Sequence, residues 1–137
     1  MRNIVIYCIA GLMVIVLLFV ILHRKNKNSA SNVNTEATSK LFITNLFAQN
    51  YQEAFNLLDT EAQKYFKAPT ALKAGYEEYV NKEGKFDSIV GTKKENIIRG
   101  GQSFECVTVL CKFEKTTKKF IIIFNDKKNI IMIQGED

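Results

Sequence analysis

The sequence predicts an α+β protein in which three helices pack on a four-stranded antiparallel sheet and one transmembrane helix precedes them. Three observations predict this fold class: the uncharged run Ile4–Leu22, apolar residues at helical spacing over residues 35–83, and alternating polar and apolar residues after Gly84. We therefore divide the chain into a transmembrane anchor with a basic flank (1–25), a polar linker (26–34) and one α+β domain (35–137).

The run Ile4–Leu22 is long enough to cross a membrane. A helix rises about 1.5 Å per residue, so this run approaches the roughly 30 Å thickness of the hydrocarbon core, and the lipid bilayer is the first predicted partner. A cleaved signal peptide is the alternative, but HRKNK (23–27) follows where small residues would mark a cleavage site. The basic residues after the run favour a cytoplasmic domain under the positive-inside rule.

The basic residues are concentrated around the anchor. The chain carries nineteen Lys and Arg against fourteen Asp and Glu, and Arg2, Arg24, Lys25 and Lys27 lie in a stretch without acids. From residue 28 onward, fifteen basic residues face fourteen acidic ones, so the domain is nearly neutral. Because a nucleic-acid-binding domain carries its positive charge as a patch on the domain itself, no nucleic-acid partner is predicted.

Two helices are predicted between the linker and the proline at position 69. Asn34 or the next residue is the expected N-cap of a first helix that ends near Asn50. Asn50 and Glu53 have the spacing of a capping box, and the apolar residues after them keep helical spacing as far as Phe66. This pattern predicts one continuous second helix.

A third helix and four strands complete the predicted domain. The proline breaks the helical pattern, a third helix follows, and Gly84 is expected to end it. The second strand is apolar on both faces, which is typical of a central strand with one face under the helices. The strands are predicted over 86–98, 103–113, 120–124 and 130–133, with a bulge at Gly91 and a two-residue hairpin turn at Gly100-Gly101.

Three segments carry a resemblance to a known family: FAQNYQEAFNLLD (47–59), GKFDSIVG (84–91) and VTVLCKFEKTTKKFIIIFNDKKNI (107–130). The stretch 42–134 resembles the bacterial domain-of-unknown-function family 3887 and, more broadly, the nuclear-transport-factor-2-like fold, a cone whose helices pack into a strongly curved sheet. One departure is the last strand, where IMIQ (131–134) replaces a small-residue ending.

The resemblance also bears on location and activity. It implies an exported or membrane-tethered protein of a Gram-positive bacterium, with no established activity. It therefore favours an extracytoplasmic domain in the cell envelope, against the count of basic residues. A three-residue N-terminal tail that stays inside while the following domain is exported is also the commoner bacterial arrangement, so we predict a single-pass membrane protein with an extracytoplasmic domain.

The candidate binding site is the mouth of the cone that the resemblance implies. A ligand pocket of this kind is mostly apolar, with a few polar groups that orient the ligand. We expect a protein or a small apolar molecule as the ligand. The expected pocket-lining residues are Tyr76, Tyr79, Phe86, Phe104 and Cys106.

The sequence gives little support for a catalytic role. Related cone folds include proton-shuttling isomerases that use a pocket carboxylate and a tyrosine donor, and Asp87, Glu105, Tyr76 and Tyr79 are formally available. Catalysis would require a raised carboxylate pKa and convergent geometry, neither of which a sequence pattern predicts. We interpret the tyrosines as core residues and the acids as facing water, and the protein as non-catalytic.

No metal or cofactor site is predicted. The single histidine, His23, lies at the expected membrane boundary, and Asp59 and Glu61 are interpreted as a solvated helix face. Cys106 and Cys111 are five residues apart on one predicted strand, about 16 Å apart and on opposite faces. Because a disulfide requires much closer Cα atoms, both are predicted to be free thiols.

Together these patterns predict a membrane-tethered, non-catalytic binding or scaffold domain of the bacterial cell envelope. The alternative is an assembly subunit of a conjugation or type IV secretion-like membrane complex, because such subunits also place a cone-shaped fold after one membrane span. A small isomerase-like enzyme ranks third. The oligomeric state is left open by these patterns.

Overall fold

The computed structural model describes residues 33–136, which form four helices followed by one four-stranded sheet. The α+β class and the order of helices before strands are confirmed. The elements are α1 (Thr35–Phe47), α2 (Tyr51–Asn56), α3 (Thr60–Phe66), α4 (Ala71–Glu83), β1 (Phe86–Arg99), β2 (Gln102–Phe113), β3 (Thr117–Phe124) and β4 (Ile130–Glu136).

The predicted span Ile4–Leu22 and most of the predicted linker lie outside the described residues. None of the four helices within residues 33–136 combines the length and hydropathy that crossing a bilayer requires.

Helix α1 begins where the sequence predicts. The Asn34 side-chain oxygen accepts hydrogen bonds from the backbone N–H groups of Glu36 and Ala37, at 3.1 and 3.2 Å. These are two of the donors that the first turn of a helix leaves without a helical partner. Phe42 and Phe47 are among the α1 residues buried against the sheet, so the helix lies along it.

The prediction of one continuous second helix is wrong, because the chain forms α2 and α3 with a break between them. At the break, Leu58 makes a parallel bridge to Ile130 of β4, and the Asp59 carboxylate accepts a hydrogen bond from the Glu61 N–H at 2.9 Å to cap α3. Asn50 does precede α2, but its side chain makes no capping hydrogen bond. The bridge and the hydrogen bond that residues 58 and 59 make to the sheet therefore interrupt the helix, although the apolar residues keep helical spacing through this segment.

Helix α4 ends at Gly84, as predicted. Gly84 has a φ of 83°, a conformation that residues with a Cβ rarely adopt. The backbone also passes close to Glu114, whose Oε2 would lie 2.7 Å from a Cβ added at position 84. The same carboxylate oxygen accepts a hydrogen bond from the Lys85 N–H at 3.0 Å, which fixes the entry into β1.

The sheet has the predicted antiparallel order β1-β2-β3-β4. Gly100 and Gly101, with φ of 56° and 78°, form the two-residue turn between Arg99 and Gln102, as the sequence predicts. The pairing of β1 with β2 shifts register between Ile89 and Gly91, which confirms the predicted bulge.

The two faces of the sheet carry separate apolar clusters. On the helix side, alternate residues of β2 (Val107, Val109 and Cys111) pack with the helices in the main core. On the opposite face, Cys106 packs with Ile123 of β3 and with two residues of β4. Both faces of β2 are therefore apolar, as expected for a central strand.

Candidate functional site

One end of the domain carries a group of ionic and polar side chains around Glu105. We call this group the Glu105 cluster; it consists of Thr35, Lys94, Glu105 and Lys128. Thr35 starts α1, Lys94 and Glu105 come from β1 and β2, and Lys128 lies in the turn between β3 and β4. The cluster therefore joins four parts of the chain at a single carboxylate.

The contacts within the Glu105 cluster are close. Lys94 Nζ lies 2.9 Å from Glu105 Oε1, and Lys128 Nζ lies 2.5 Å from Oε2. The Thr35 hydroxyl also donates to Oε1. The Glu105 side chain is 12% exposed, and Thr35 is buried.

These contacts control the ionisation of Glu105. Burial alone would raise the pKa of this carboxyl, but the hydrogen bonds from Lys128, Thr35 and Lys94 outweigh burial and lower it to about 2. Glu105 is therefore ionised at neutral pH. A general acid or base works best with a pKa near the working pH, so this environment opposes a proton-shuttling role for Glu105.

The interpretation that Glu105 faces water is wrong. Side chains on a strand alternate between faces, and Glu105 is in phase with Val107 and Val109, so it points to the helix side. Its charge is accommodated there because the start of α1 and two lysines meet it. The Glu105 cluster is therefore visible only in the folded structure, where residues from four parts of the chain meet.

Asp59 provides a second polar connection at the same end of the sheet. Its Oδ2 accepts a hydrogen bond from the Asn125 amide at 2.9 Å, and its N–H donates to the Ile130 carbonyl at 2.7 Å. Asn125 Oδ1 in turn accepts from the N–H groups of Lys127 and Asn129, which shapes the turn that carries Lys128. The expectation of a solvated Asp59 is wrong, because this side chain is buried.

The opposite end of the domain is aromatic. We call it the aromatic end, and its rings surround Phe47 at the end of α1. The Phe47 and Phe86 rings stack at a centroid distance of 4.7 Å, and Phe113 meets Phe47 edge-on at 5.1 Å. Tyr79 packs on Phe120 at 4.9 Å. The aromatic end consists of Phe47, Tyr76, Tyr79, Phe86, Phe113 and Phe120.

The five residues predicted to line a pocket lie on two faces of the sheet. Tyr76, Tyr79 and Phe86 are half-buried at the aromatic end and pack against the main core. Phe104 and Cys106 belong to the cluster on the other face. The sheet lies between the two groups, so the structure brings together only the first three residues.

Two tyrosine hydroxyls at the edge of the aromatic end differ in their partners. Tyr76 accepts a hydrogen bond from the Gln49 amide at 3.3 Å. The Tyr51 hydroxyl, whose ring packs edge-on against Tyr76, is buried and has no hydrogen-bond partner among the described residues. Burial raises the pKa of Tyr51, and the neighbouring Tyr76 and Glu77 add to the effect. This end therefore offers apolar rings and phenol groups, and the buried Glu83 carboxylate lies beside them in an ion pair with Lys118, at 3.3 Å.

The four residues considered for a proton shuttle do not converge. Asp87 adjoins Phe86, which pairs with Phe113, whereas Glu105 lies eight residues earlier on β2. At about 3.3 Å per residue, the two carboxylates are separated by roughly 26 Å along the sheet. Tyr79 packs near Phe113, at the end away from Glu105.

The cysteines have the predicted arrangement. Cys106 and Cys111 are buried free thiols on opposite faces of the sheet. Burial raises the pKa of both, that of Cys111 to about 12, so neither is a reactive thiolate at neutral pH. Within residues 33–136, no group of three or more His, Cys, Asp or Glu side chains could hold a metal ion.

Comparison with known proteins gives a family and nothing finer. The family model described as "Protein of unknown function (DUF3887)" matches residues 39–132, which is more than half of the chain. The match begins within α1 and ends within β4, so it includes all or part of all four strands. No curated protein and no solved structure matches the chain.

Proposed function

The chain belongs to the DUF3887 family, and we propose that it is a membrane-tethered, non-catalytic binding domain of the bacterial cell envelope. In this proposal Ile4–Leu22 crosses the membrane, and the α+β domain adopts a nuclear-transport-factor-2-like cone outside the cytoplasm. The ligand is a protein segment or a small apolar molecule held at the aromatic end.

The observation that carries this proposal is the opposite character of the two ends of the domain. Helix α1 begins at the Glu105 cluster and ends at Phe47, about 20 Å away at 1.5 Å per residue. A tether that precedes α1 attaches at the end with the Glu105 cluster. The half-buried rings of Tyr76, Tyr79 and Phe86 then lie at the end turned away from the attachment.

The sequence supports the tether in two ways. Ile4–Leu22 has no charged residue, and Arg24, Lys25 and Lys27 follow it, which is the pattern of a span flanked by headgroup-binding side chains. The segment up to Asn34 is rich in Asn and Ser, the small polar composition of a short linker between the span and the domain.

The chemistry of the aromatic end supports a binding role. Aromatic side chains supply a large contact area and little conformational freedom, and binding sites are enriched in them. Tyr79 and Phe86 are each partly exposed and rest on rings that are almost fully buried, Phe113 and Phe120. Their positions are thus fixed before a ligand arrives, which lowers the entropic cost of binding.

Membrane attachment is tested by fractionating cells that express the full chain and extracting the membranes at alkaline pH. We expect the protein to stay in the membrane pellet. The variant Val14→Arg/Leu17→Arg should move to the soluble fraction, because each Arg at a helix centre costs about 2.5–3.5 kcal/mol of insertion free energy. The matched control Val14→Leu/Leu17→Ile should stay in the pellet. Release of the unmodified chain by alkali would contradict the tether.

Ligand binding is tested separately with a single fluorescent residue, because the chain contains no Trp. In the full chain, reconstituted in nanodiscs, Phe86→Trp places the reporter at the aromatic end. Titration with benzyl alcohol should change its emission saturably, whereas Ile98→Trp at the other end should show no saturable change. Equal responses at both positions would contradict a site at the aromatic end.

A further inference from the structure

We infer that the tip of the hairpin between β1 and β2 rests on the surface of the lipid bilayer. This hairpin tip comprises residues 98–103. The inference rests on the proposed membrane tether and adds an orientation to it: the domain stands on the bilayer through a particular loop, with the aromatic end turned outward.

The first observation is the exposure of Ile98. Its relative exposure is 78%, whereas the other exposed large apolar residues, Val33, Leu41 and Val90, range from 44% to 54%. Alternation along β1 places Ile98 on the same face as Lys94, the helix side of the sheet. Ile98 nevertheless makes little contact, because it lies beyond the start of α1. Single exposed apolar residues are common on protein surfaces, so Ile98 points to a binding surface through its fixed position and its place beside the chain that enters the domain.

The second observation is the shape and stiffness of the hairpin tip. Arg99 pairs directly with Gln102, and the turn between them consists of two glycines in positive-φ conformations. The turn has no side chains that could shield Ile98. The Arg99 guanidinium also approaches the Met132 sulfur, at 3.5 Å, which connects the tip to β4. The tip is therefore narrow and held in place by the sheet.

The third observation is the place where the N-terminal segment joins the domain. The Thr35 hydroxyl donates to Glu105, and Glu105 lies two residues from Ser103, the pairing partner of Ile98. The chain before Thr35 thus joins the domain beside the hairpin tip. Val33, at the start of the described residues, is a second exposed apolar side chain there.

The length of the connecting chain makes contact with the membrane feasible. Thirteen residue steps separate Leu22 from Thr35. A random coil of this length has a root-mean-square extension of about 20 Å, so a tether of thirteen residues would keep the domain close to the bilayer on average. At this distance the domain has an effective concentration at the bilayer surface in the millimolar range. Confinement of this kind raises the occupancy of a weak contact by one apolar residue above that of a free domain.

The charges at this end suit an anionic lipid surface. Lys94 is half-exposed on the face of β1 that carries Ile98, and its ion-pair partner Glu105 is already shared between two lysines. Arg24, Lys25 and Lys27 lie on the chain between the run Ile4–Leu22 and the domain, and they favour the same headgroups. The bilayer interface itself, rather than a protein, is therefore the occupant that we assign to the hairpin tip.

The test uses three single-tryptophan variants of the full chain in vesicles of equal parts phosphatidylcholine and phosphatidylglycerol. Ile98→Trp reports on the hairpin tip, Val90→Trp replaces another exposed apolar residue nearer the other end of β1, and Phe86→Trp lies at the aromatic end. Side chains at the interface reach about 5–10 Å into the headgroup and acyl boundary. The emission of the Ile98→Trp variant should therefore be blue-shifted, and brominated lipids should quench it. The other two variants should keep the emission that they show in unbrominated vesicles.

Two results would overturn the inference without touching the tether. One is an unquenched indole in Ile98→Trp chains that remain in the membrane after alkaline extraction. The other is equal quenching in all three variants, which would mean that no end of the domain is preferred. Circular dichroism must first show the same fold in each variant. Failure of the tether itself is recognised independently, since the full chain would then leave the membrane on alkaline extraction.

Discussion

The two ends of the domain are stabilised by different forces. At the end that carries the Glu105 cluster and the hairpin tip, which we call the hairpin end, Glu105 holds Thr35, Lys94 and Lys128 together through charge-assisted hydrogen bonds. At the aromatic end, apolar burial and ring packing hold Phe47, Phe86 and their neighbours, and a single buried ion pair, Lys118–Glu83, lies beside them. Helix α1 connects the two ends.

This difference shows how each end responds to its surroundings. Ionic contacts weaken when salt screens them or when acid protonates the carboxylate. Ring packing is insensitive to both and depends instead on volume and shape. Mutations at the aromatic end should therefore cost more free energy, and mutations at the hairpin end should have costs that vary with pH and salt.

The largest effect is expected from Phe113→Ala. This ring is almost fully buried and contacts Phe47, Tyr79, Phe86 and Phe120. Its removal should lower the free energy of unfolding by about 3–5 kcal/mol, equally at low and high salt. Chemical denaturation of the full chain in a mild non-ionic detergent measures this change, with the exposed Leu41→Ala as the control. A cost below that of Glu105→Gln would reverse the comparison between the ends.

A smaller effect is expected from Gly135→Ala. A Cβ at this position would lie 1.5 Å from the Tyr79 hydroxyl oxygen, so the tyrosine would have to move. Overpacking of this kind costs about 1–3 kcal/mol, and shortening the neighbour with Tyr79→Leu should recover part of it in a double-mutant cycle.

Gly75 provides the matched control for that substitution. Gly75 lies within α4, and beyond its neighbours and the helix backbone no described atom lies within 4 Å of an added Cβ. Gly75→Ala should therefore stabilise the protein by about 0.5–1 kcal/mol, since Ala favours a helix. Thermal unfolding of both variants compares them directly. If both substitutions changed the stability in the same direction, the close approach of Tyr79 to Gly135 would not explain the effect of Gly135→Ala.

Glu105→Gln should have a pH-dependent cost. The pKa of Glu105 is about 2 in the folded protein, below its ordinary value of 4.5. A lowered pKa means that the stabilisation is present above the unfolded-state pKa and is lost as the pH falls from about 5 towards 2. Because Lys94 is half-exposed, we expect a cost on the order of 1–2 kcal/mol at pH 7.

The measurement is the free energy of unfolding of both proteins at several pH values. The difference between them should shrink steadily as the solution becomes more acidic. Asp87→Asn is the control, because Asp87 has a 55% exposed side chain in a loose ion pair with Lys112, at 3.5 Å. A cost of Glu105→Gln that stayed constant down to about pH 2 would mean that the carboxylate charge is not what holds the hairpin end.

The smallest effect separates two asparagines that look alike in the sequence. Asn34→Ala removes two capping hydrogen bonds at the start of α1 and should cost about 1 kcal/mol. Asn50→Ala should cost little, because the Asn50 side chain makes no capping bond. Urea denaturation at neutral pH compares the two variants. Equal costs would contradict the difference between these two helix starts.

Much of the fold could be predicted because its signals are local. Asn34 caps α1, and the turn at Gly100-Gly101 follows from backbone conformations that glycine alone adopts readily. The alternation along β2 predicted a central strand and placed the two cysteines on opposite faces. Each of these inferences needs only a few neighbouring residues.

The remaining features depend on contacts between distant residues. Asp59 lies in a helical sequence pattern, but its contacts with Asn125 and Ile130 break the helix there. Glu105 lies among apolar residues, and its partners come from positions 35, 94 and 128. The pocket prediction grouped residues by type alone and combined Phe86 with Phe104, which the sheet separates. Alternate residues of a strand lie on opposite faces of the sheet, so deciding which residues face the helices would have separated Phe86 from Phe104.

The most direct test of the account is the side of the membrane on which the aromatic end lies. Strand β4 ends at Glu136, opposite Lys119 and away from the hairpin tip, so a reporter fused after Asp137 leaves the Glu105 cluster and the hairpin tip undisturbed. Fused to the full chain in bacterial cells, alkaline phosphatase should be active and green fluorescent protein should be dark. A fluorescent, phosphatase-inactive pair of fusions would place the domain in the cytoplasm and contradict the proposed envelope role.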